Sequence, residues 1–297
     1  VLRPEILAAG AALCWAVGSV FSANASSRMG AFAFTRWRLL FALTLLWALA
    51  AYTGQWRSLD GPAVWLLVIS GLIGIFIGDT ALFACMNRLG PRRAGVLFAT
   101  HALFSVVLAW VFLGETLWGW TLMGSALLVS GVMVAIAWGR RMDESHAWED
   151  TRGALLPGVL LGVVAALCQS VATLMIKPLM TKGIDPVAAS AVRTSASFLA
   201  HLFLLWGGLR LAKVKQPLTP QTLWNTWASA AVTMALGMTL ILAALRQGQA
   251  NLVGILSSLT PVLLLPLLWL IYKRRPAVGA WMGAGMAVLG TALIVGR

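Results

Sequence analysis

GLIGIFIGDTALFACMNRLG (71–90) is apolar along most of its length, yet Asp79 sits inside it among Ile75, Phe76, Ile77, Ala81, Leu82 and Phe83. A lone carboxylate in such company is costly, and ionisable groups at membrane depth characteristically face a bundle interior or water. The apolar run around it extends over 62–87, enough for the roughly 20 residues that cross a hydrocarbon core. A membrane-spanning helix with one buried acid is the reading from which the rest follows.

Composition agrees with it. The 297 residues are 60% hydrophobic and 10% charged, whereas soluble domains are about half apolar and about a quarter charged. The balance of 22 Lys+Arg against 9 Asp+Glu gives a net charge of +13. In a soluble chain that excess would suggest nucleic acid. Here the basic residues lie between apolar runs, which is the membrane-flanking pattern, and nucleic-acid binding is excluded. Cys14, Cys85 and Cys168 all fall inside apolar runs; an odd number in such places reads as packing residues, not as a disulfide framework. No clustered Cys or His spacing suggests a metal, and no cofactor motif is present. The first run begins by Ile6, is too long for a signal-peptide core and reads as a retained helix.

Ten segments meet the spanning test: 4–27, 32–53, 62–87, 91–113, 117–138, 154–180, 186–209, 224–246, 250–272 and 276–296. They are continuous, without the alternation of barrel strands, so the fold class is all-α. The polar stretch 139–153 divides the chain into a first five-helix half, 1–138, and a second, 154–297. Sliding residues 78–137 by 159 positions gives eleven identities in sixty, among them Gly78/Gly237, Thr80/Thr239, Gly95/Gly254, Gly124/Gly283 and Gly131/Gly290. Ala12-Leu13-Cys14 recurs as Ala166-Leu167-Cys168, and Arg36 in the second segment has Arg193 as counterpart in the seventh. Five spans per repeat place the second repeat upside down relative to the first. Inverted repeats are typical of secondary transporters, with a solute site at the midplane between the halves.

The loops are charged unequally. Odd-numbered connections carry thirteen Lys and Arg, even-numbered connections and the termini five, and Arg36, Arg38, Lys177 and Arg193 lie inside segments. The positive-inside rule then places both termini on the non-cytoplasmic side.

The stretch AGVLFATHALFSVVLAWVFLGETLWGWTLMGSALLVSGVMVA (94–135) resembles the EamA repeat of the drug/metabolite transporter superfamily: a helix ending in LGE, a tight turn, then a helix with spaced small residues. LCWAVGSVFSA resembles that repeat's first helix, with Trp15 in its Trp position, and Arg36 matches the Arg of its second helix. The likeness covers both halves and, within the superfamily, is to the YddG-type amino-acid exporters. Three places depart from the pattern. Ala102 stands where the fourth helix often has proline, which Pro261 supplies in the ninth; YKRRP replaces the GE element; and Gln169 stands where an aromatic counterpart of Trp15 is expected. Many relatives also keep their termini in the cytoplasm, contrary to the charge count.

The resemblance implies export of small metabolites, amino acids or their analogues, by alternating access in a bacterial inner membrane. The chain would act as a monomer in the lipid bilayer, with protons as a possible coupling ion. The alternatives are an intramembrane enzyme, disfavoured by the lack of a second acid or a nucleophile motif at depth, and a passive facilitator or channel. Asp79 is expected to line the cavity, facing Arg36, His101 or the solute; the contrasting reading is a helix-bridging acid. His101 falls where relatives present a bulky side chain to the cavity, while His201 reads as structural. Arg36 and Arg193 could bind a solute carboxylate or satisfy helix-end carbonyls. Arg38, two residues from Arg36, points elsewhere and is expected to snorkel. Trp15, Gln169 and Pro261 complete the cavity set, with Pro261 and Pro266 expected to bend the ninth helix. Glu115 is read as complementing the dipole at the start of the fifth helix, Lys177 as marking the end of the sixth, and Gly74/Gly78 as a close-packing face.

Overall fold

The computed structural model describes residues 2–138, 155–272 and 278–295. The linker 139–153 and residues 273–277 lie outside the described residues. In chain order the helices are α1 (Pro4–Met29), α2 (Ala31–Thr53), α3 (Gly61–Leu89), α4 (Arg93–Leu113), α5 (Gly119–Ala137), α6 (Leu155–Thr181), α7 (Pro186–Trp206), α8 (Pro220–Gln247), α9 (Ala250–Ser257), α10 (Thr260–Tyr272) and α11 (Val278–Val295). Seven of them, α1 to α4 and α6 to α8, are long and apolar enough to cross a membrane. Shorter apolar helices occupy the places of the expected fifth, ninth and tenth segments. No strand occurs among the described residues.

Helix starts are written in capping chemistry, at equivalent places in the two halves. Asp60 accepts from the backbone N–H of Ala63 at 2.7 Å and opens α3; Thr219, 159 positions on, accepts from Thr222 and opens α8. Each is followed by a proline in the first turn, where no backbone donor is lost. Asp185 opens α7 in the same way, accepting from Val187 and Ala188. Its equivalent at the head of α2 is Gly30, whose φ of 84° joins α1 to α2 through a single residue.

Both long central helices also widen at one place. Leu72–Asp79 in α3 and Ala230–Gly237 in α8 are π-helical, eight residues each. Such bulges are rare and frequent at functional sites.

The ninth expected segment is two helices, α9 and α10, separated at Ser258 and Leu259. Its break precedes Pro261, which sits harmlessly in the first turn of α10. A matching irregularity falls at Thr100 in α4, where the repeat has Ala102 instead of proline. The discontinuity therefore belongs to the fold and not to Pro261.

The sequence pattern is inside-out relative to a soluble protein. Arg38, Arg193, Gln169, His101 and His201 are buried, while Leu103, Val107, Trp110, Val111 and Phe112 on α4 are exposed. Lipid is the solvent that makes this stable. Trp65, Trp118 and Trp138, near helix ends, are also exposed, as an interfacial aromatic belt requires. All three cysteines are free thiols.

Candidate functional site

The two halves meet through reciprocal contacts. A Cβ on Gly124 of α5 would lie 2.8 Å from the carbonyl oxygen of Gly290 on α11, and one on Gly131 would lie 2.6 Å from that of Gly283. Gly283 and Gly290 are the repeat equivalents of Gly124 and Gly131. Exchanging the halves therefore maps each pair onto the other, as a two-fold axis in the membrane plane demands. The same exchange relates Gly78 against Cys168 to Gly237 against Cys14, and Gly74 against Ala172 to Gly18 against Thr233. Glycine at these positions lets backbones touch, so the expected close-packing role of Gly74 and Gly78 is realised against α6.

Asp79 ends the π-helical stretch of α3 at this seam. Its carboxylate accepts a short hydrogen bond from Nη2 of Arg38 on α2, an ion pair among the described residues that is 14% exposed on the acid and 4% on the guanidinium. Arg38 is further held by the faces of Phe83 at 4.6 Å and Phe34 at 5.7 Å, and its Nη1 donates to Thr233 Oγ1 of α8 at 3.5 Å. A cation over aromatic faces in a desolvated site gains on the order of 1–2 kcal/mol. The expectation that Arg38 snorkels to a face is thus overturned, as is the expectation that Asp79 faces Arg36 or His101. Asp79 needs a donor within reach of α3, and α2 turns residue 38 toward it, not residue 36.

Arg36 points elsewhere. Its Nη1 donates to the carbonyl of Ala212 at 2.7 Å, the helix-end role that was one of its two readings. The true counterpart of Arg193 is Arg38: α2 begins at Ala31 and α7 at Pro186, a shift of 155, which carries 38 onto 193. Geometry agrees. Arg38 bonds Asp79 and Thr233; Arg193 lies against Met238, the equivalent of Asp79, and Gly74, the equivalent of Thr233.

The remaining candidates are dispersed. Trp15 Nε1 donates to the carbonyl of Thr233 at 3.3 Å and so adjoins the Arg38 cluster. Gln169 is buried and reaches Thr173 Oγ1 at 3.5 Å within its own helix. His101 is buried with its ring 5.1 Å from that of Phe98, while its carbonyl accepts from Ser170 at 2.8 Å. Pro261 lies near Gly95. Among the described residues, Gln169, His101 and Pro261 make no hydrogen bond to Asp79.

Next to the acid in the chain lies a polar contact to His201, the histidine read from the sequence as structural. Thr80 Oγ1 is 3.2 Å from His201 Nε2, and the His201 ring is wedged edge-on between Phe32 and Phe76. A second polar junction ties the halves at one end of the bundle. Glu115 accepts from the backbone N–H of Ala250 and Asn251, both at 3.0 Å, so it caps α9 of the other repeat instead of α5. Lys177, one residue before Pro178 inside α6, donates to the carbonyls of Leu245 and Gly248 at the end of α8. A cavity of about 520 Å³ opens nearby, lined by Arg3, Glu5, Thr116, Trp118 and Gln249 among others.

Two repeats of membrane-spanning helices, joined by exchange-related contacts around a buried ion pair, define an all-α, two-repeat membrane protein of transporter type. Residues 2–137 and 156–296 each match the EamA-like transporter family, and the chain belongs to that family. It is 25% identical over 132 residues to a WAT1-related protein of Arabidopsis thaliana, covering 43% of this chain and 36% of the plant protein. Over 127 residues it is 28% identical to an uncharacterized transporter of Archaeoglobus fulgidus, 43% of this chain and 44% of that one. The chain spans less than half the length of these curated relatives. A solved crystal structure superposes with a TM-score of 0.77 at 18% identity, over 99% of this chain and 97% of that one; the likeness is one of fold. The family is one of membrane transporters of small solutes, within the drug/metabolite transporter superfamily.

Proposed function

We propose that this chain is a secondary exporter of small metabolites, amino acids or their analogues, working by alternating access between its two repeats. The reciprocal seam is the observation that supports it. Contacts of one repeat with the other recur with the roles exchanged, so a rocked arrangement would offer nearly the same contacts with its opening on the opposite side. The Arg38–Asp79 pair lies on that seam, where a zwitterion could meet one charge of each sign, and Asp79 is the group that would receive either a coupling proton or a solute ammonium.

Ten spans, both termini on the non-cytoplasmic side and residence in a bacterial inner membrane complete the reading; the thirteen-to-five loop charge bias supports the orientation. The working unit is a monomer, with no catalytic step and no cofactor. Proteoliposomes holding the purified chain, loaded with unlabelled solute and offered a panel of radiolabelled amino acids with and without a pH gradient, test it. Saturable uptake stimulated by solute on the far side is expected, with loss of that stimulation in Asp79→Asn. Linear uptake without stimulation by the opposite side would point to a facilitator, and no uptake of any amino acid would remove the proposed solute class.

A further inference from the structure

Arg193 is 1% exposed, near the middle of α7. Its Nη1 donates to the thioether of Met238 at 3.3 Å, a weak acceptor, and its Nε and Nη2 have no hydrogen-bond partner among the described residues. A guanidinium so placed is far from satisfied, since burying an uncompensated charge is strongly unfavourable. Its equivalent, Arg38, has a carboxylate on Nη2 and a hydroxyl on Nη1, and only its Nε lacks a partner among the described residues. Around Arg193 both partners are replaced: Met238 of its own repeat stands in the place of Asp79, and Gly74 of the first repeat in the place of Thr233, an added Cβ there standing 3.1 Å from Arg193 Nη2. Within the cluster of Arg38, Asp79 and Arg193, two cations share one anion, leaving a surplus of one positive charge.

We infer that Arg193 is a binding site for a small monovalent anion, which takes the place that a carboxylate fills in the first repeat. Two unpartnered nitrogens on one edge of a planar guanidinium, Nε and Nη2, suit an oxyanion or a halide. Met238, buried but unbranched and rich in rotamers, is the side chain that yields to admit it. The anion comes either from solution, as a halide, or from the carboxylate end of a bound solute. The site needs no transport to exist, so its failure and that of the proposed export are read separately.

The test is the unfolding midpoint of the purified full chain in detergent, at constant ionic strength, with gluconate replaced by chloride, nitrate, acetate or a zwitterionic amino acid. A ligand that binds only the folded state raises the midpoint saturably. We expect a rise of at least about 2 °C with one or more of these anions. Met238→Asp, which supplies the missing carboxylate, should match that rise without added anion and lose the anion dependence. Arg193→Met should lose the dependence as well, while Met238→Leu keeps it. Response to chloride and nitrate assigns the solution source; response to acetate and amino acid alone assigns the solute carboxylate. Equal midpoints in every anion for the wild-type chain, or an undiminished anion effect in Arg193→Met, would overturn the site.

Discussion

Arg38 and Arg193 occupy the same place in two copies of one architecture, and their surroundings could hardly differ more. Arg38 has a carboxylate, a hydroxyl and two aromatic faces, with only its Nε unpartnered; Arg193 has a thioether, with Nε and Nη2 both unpartnered among the described residues. The π-helical stretches beside them match, as do the capped starts of α3 and α8. Duplication therefore preserved backbone geometry while side-chain chemistry drifted apart, leaving the polar function concentrated on the first repeat. An asymmetric centre in a symmetric frame is what a carrier needs if its two openings are to differ in what they release or in which is favoured at rest.

The comparison is broken most severely by removing the arginine that is paired with a carboxylate. Arg38→Met strands the Asp79 carboxylate and should destabilise the fold by about 3–5 kcal/mol, read as unfolding in mixed micelles. Arg193→Met removes a surplus charge and should cost nothing or stabilise; equal losses in the two variants would show that the repeats are energetically alike. Next in size is relocation of the pair. Asp79→Met alone leaves two buried cations, and adding Met238→Asp should recover about 2 kcal/mol of that loss, because the carboxylate then sits beside Arg193. A double variant no better than the single would refute the equivalence of positions 79 and 238.

The glycine seam gives a smaller effect. Gly131→Val drives a side chain into the backbone of α11, where even the first carbon would stand 2.5 Å from the amide nitrogen of Ala287. It should cost about 1–3 kcal/mol, measured by the same unfolding, and a neutral outcome would mean that α5 and α11 separate freely. Least is expected of Thr233→Val, which removes one acceptor of Arg38 and should cost about 1 kcal/mol. The Trp15 bond is to the backbone of Thr233 and should survive, so Trp15 fluorescence ought to be unchanged.

Much of the frame could be read from the sequence because lipid imposes a simple rule on long apolar runs. The span around Asp79, the midpoint division and the 159-residue repeat all follow from composition and matching glycines. The partner of Asp79 did not, and the reason is arithmetic: the repeat shift is 154 residues in the first helix, 155 in the second and 159 in the third. A single ungapped register could not carry all three, and pairing Arg36 with Arg193 was the consequence. Starting each helix at its own cap, Gly30 against Asp185, would have placed Arg38 correctly. The π-helical stretches were invisible because one extra residue per turn leaves no trace in a run that is apolar on every side. Glu115 was recognised as a helix-terminus acid, but sequence proximity favoured α5, while three-dimensional packing brought α9.

Inversion of the repeats underlies everything proposed, and labelling tests it most directly. With Cys14, Cys85 and Cys168 replaced by alanine, single cysteines are placed at Gln55, after α2, and at Leu209, after α7, which are corresponding turns of the two halves. A membrane-impermeant maleimide applied to intact cells should label Gln55→Cys from outside and reach Leu209→Cys only after permeabilisation. Labelling of both positions from the same side would contradict the account.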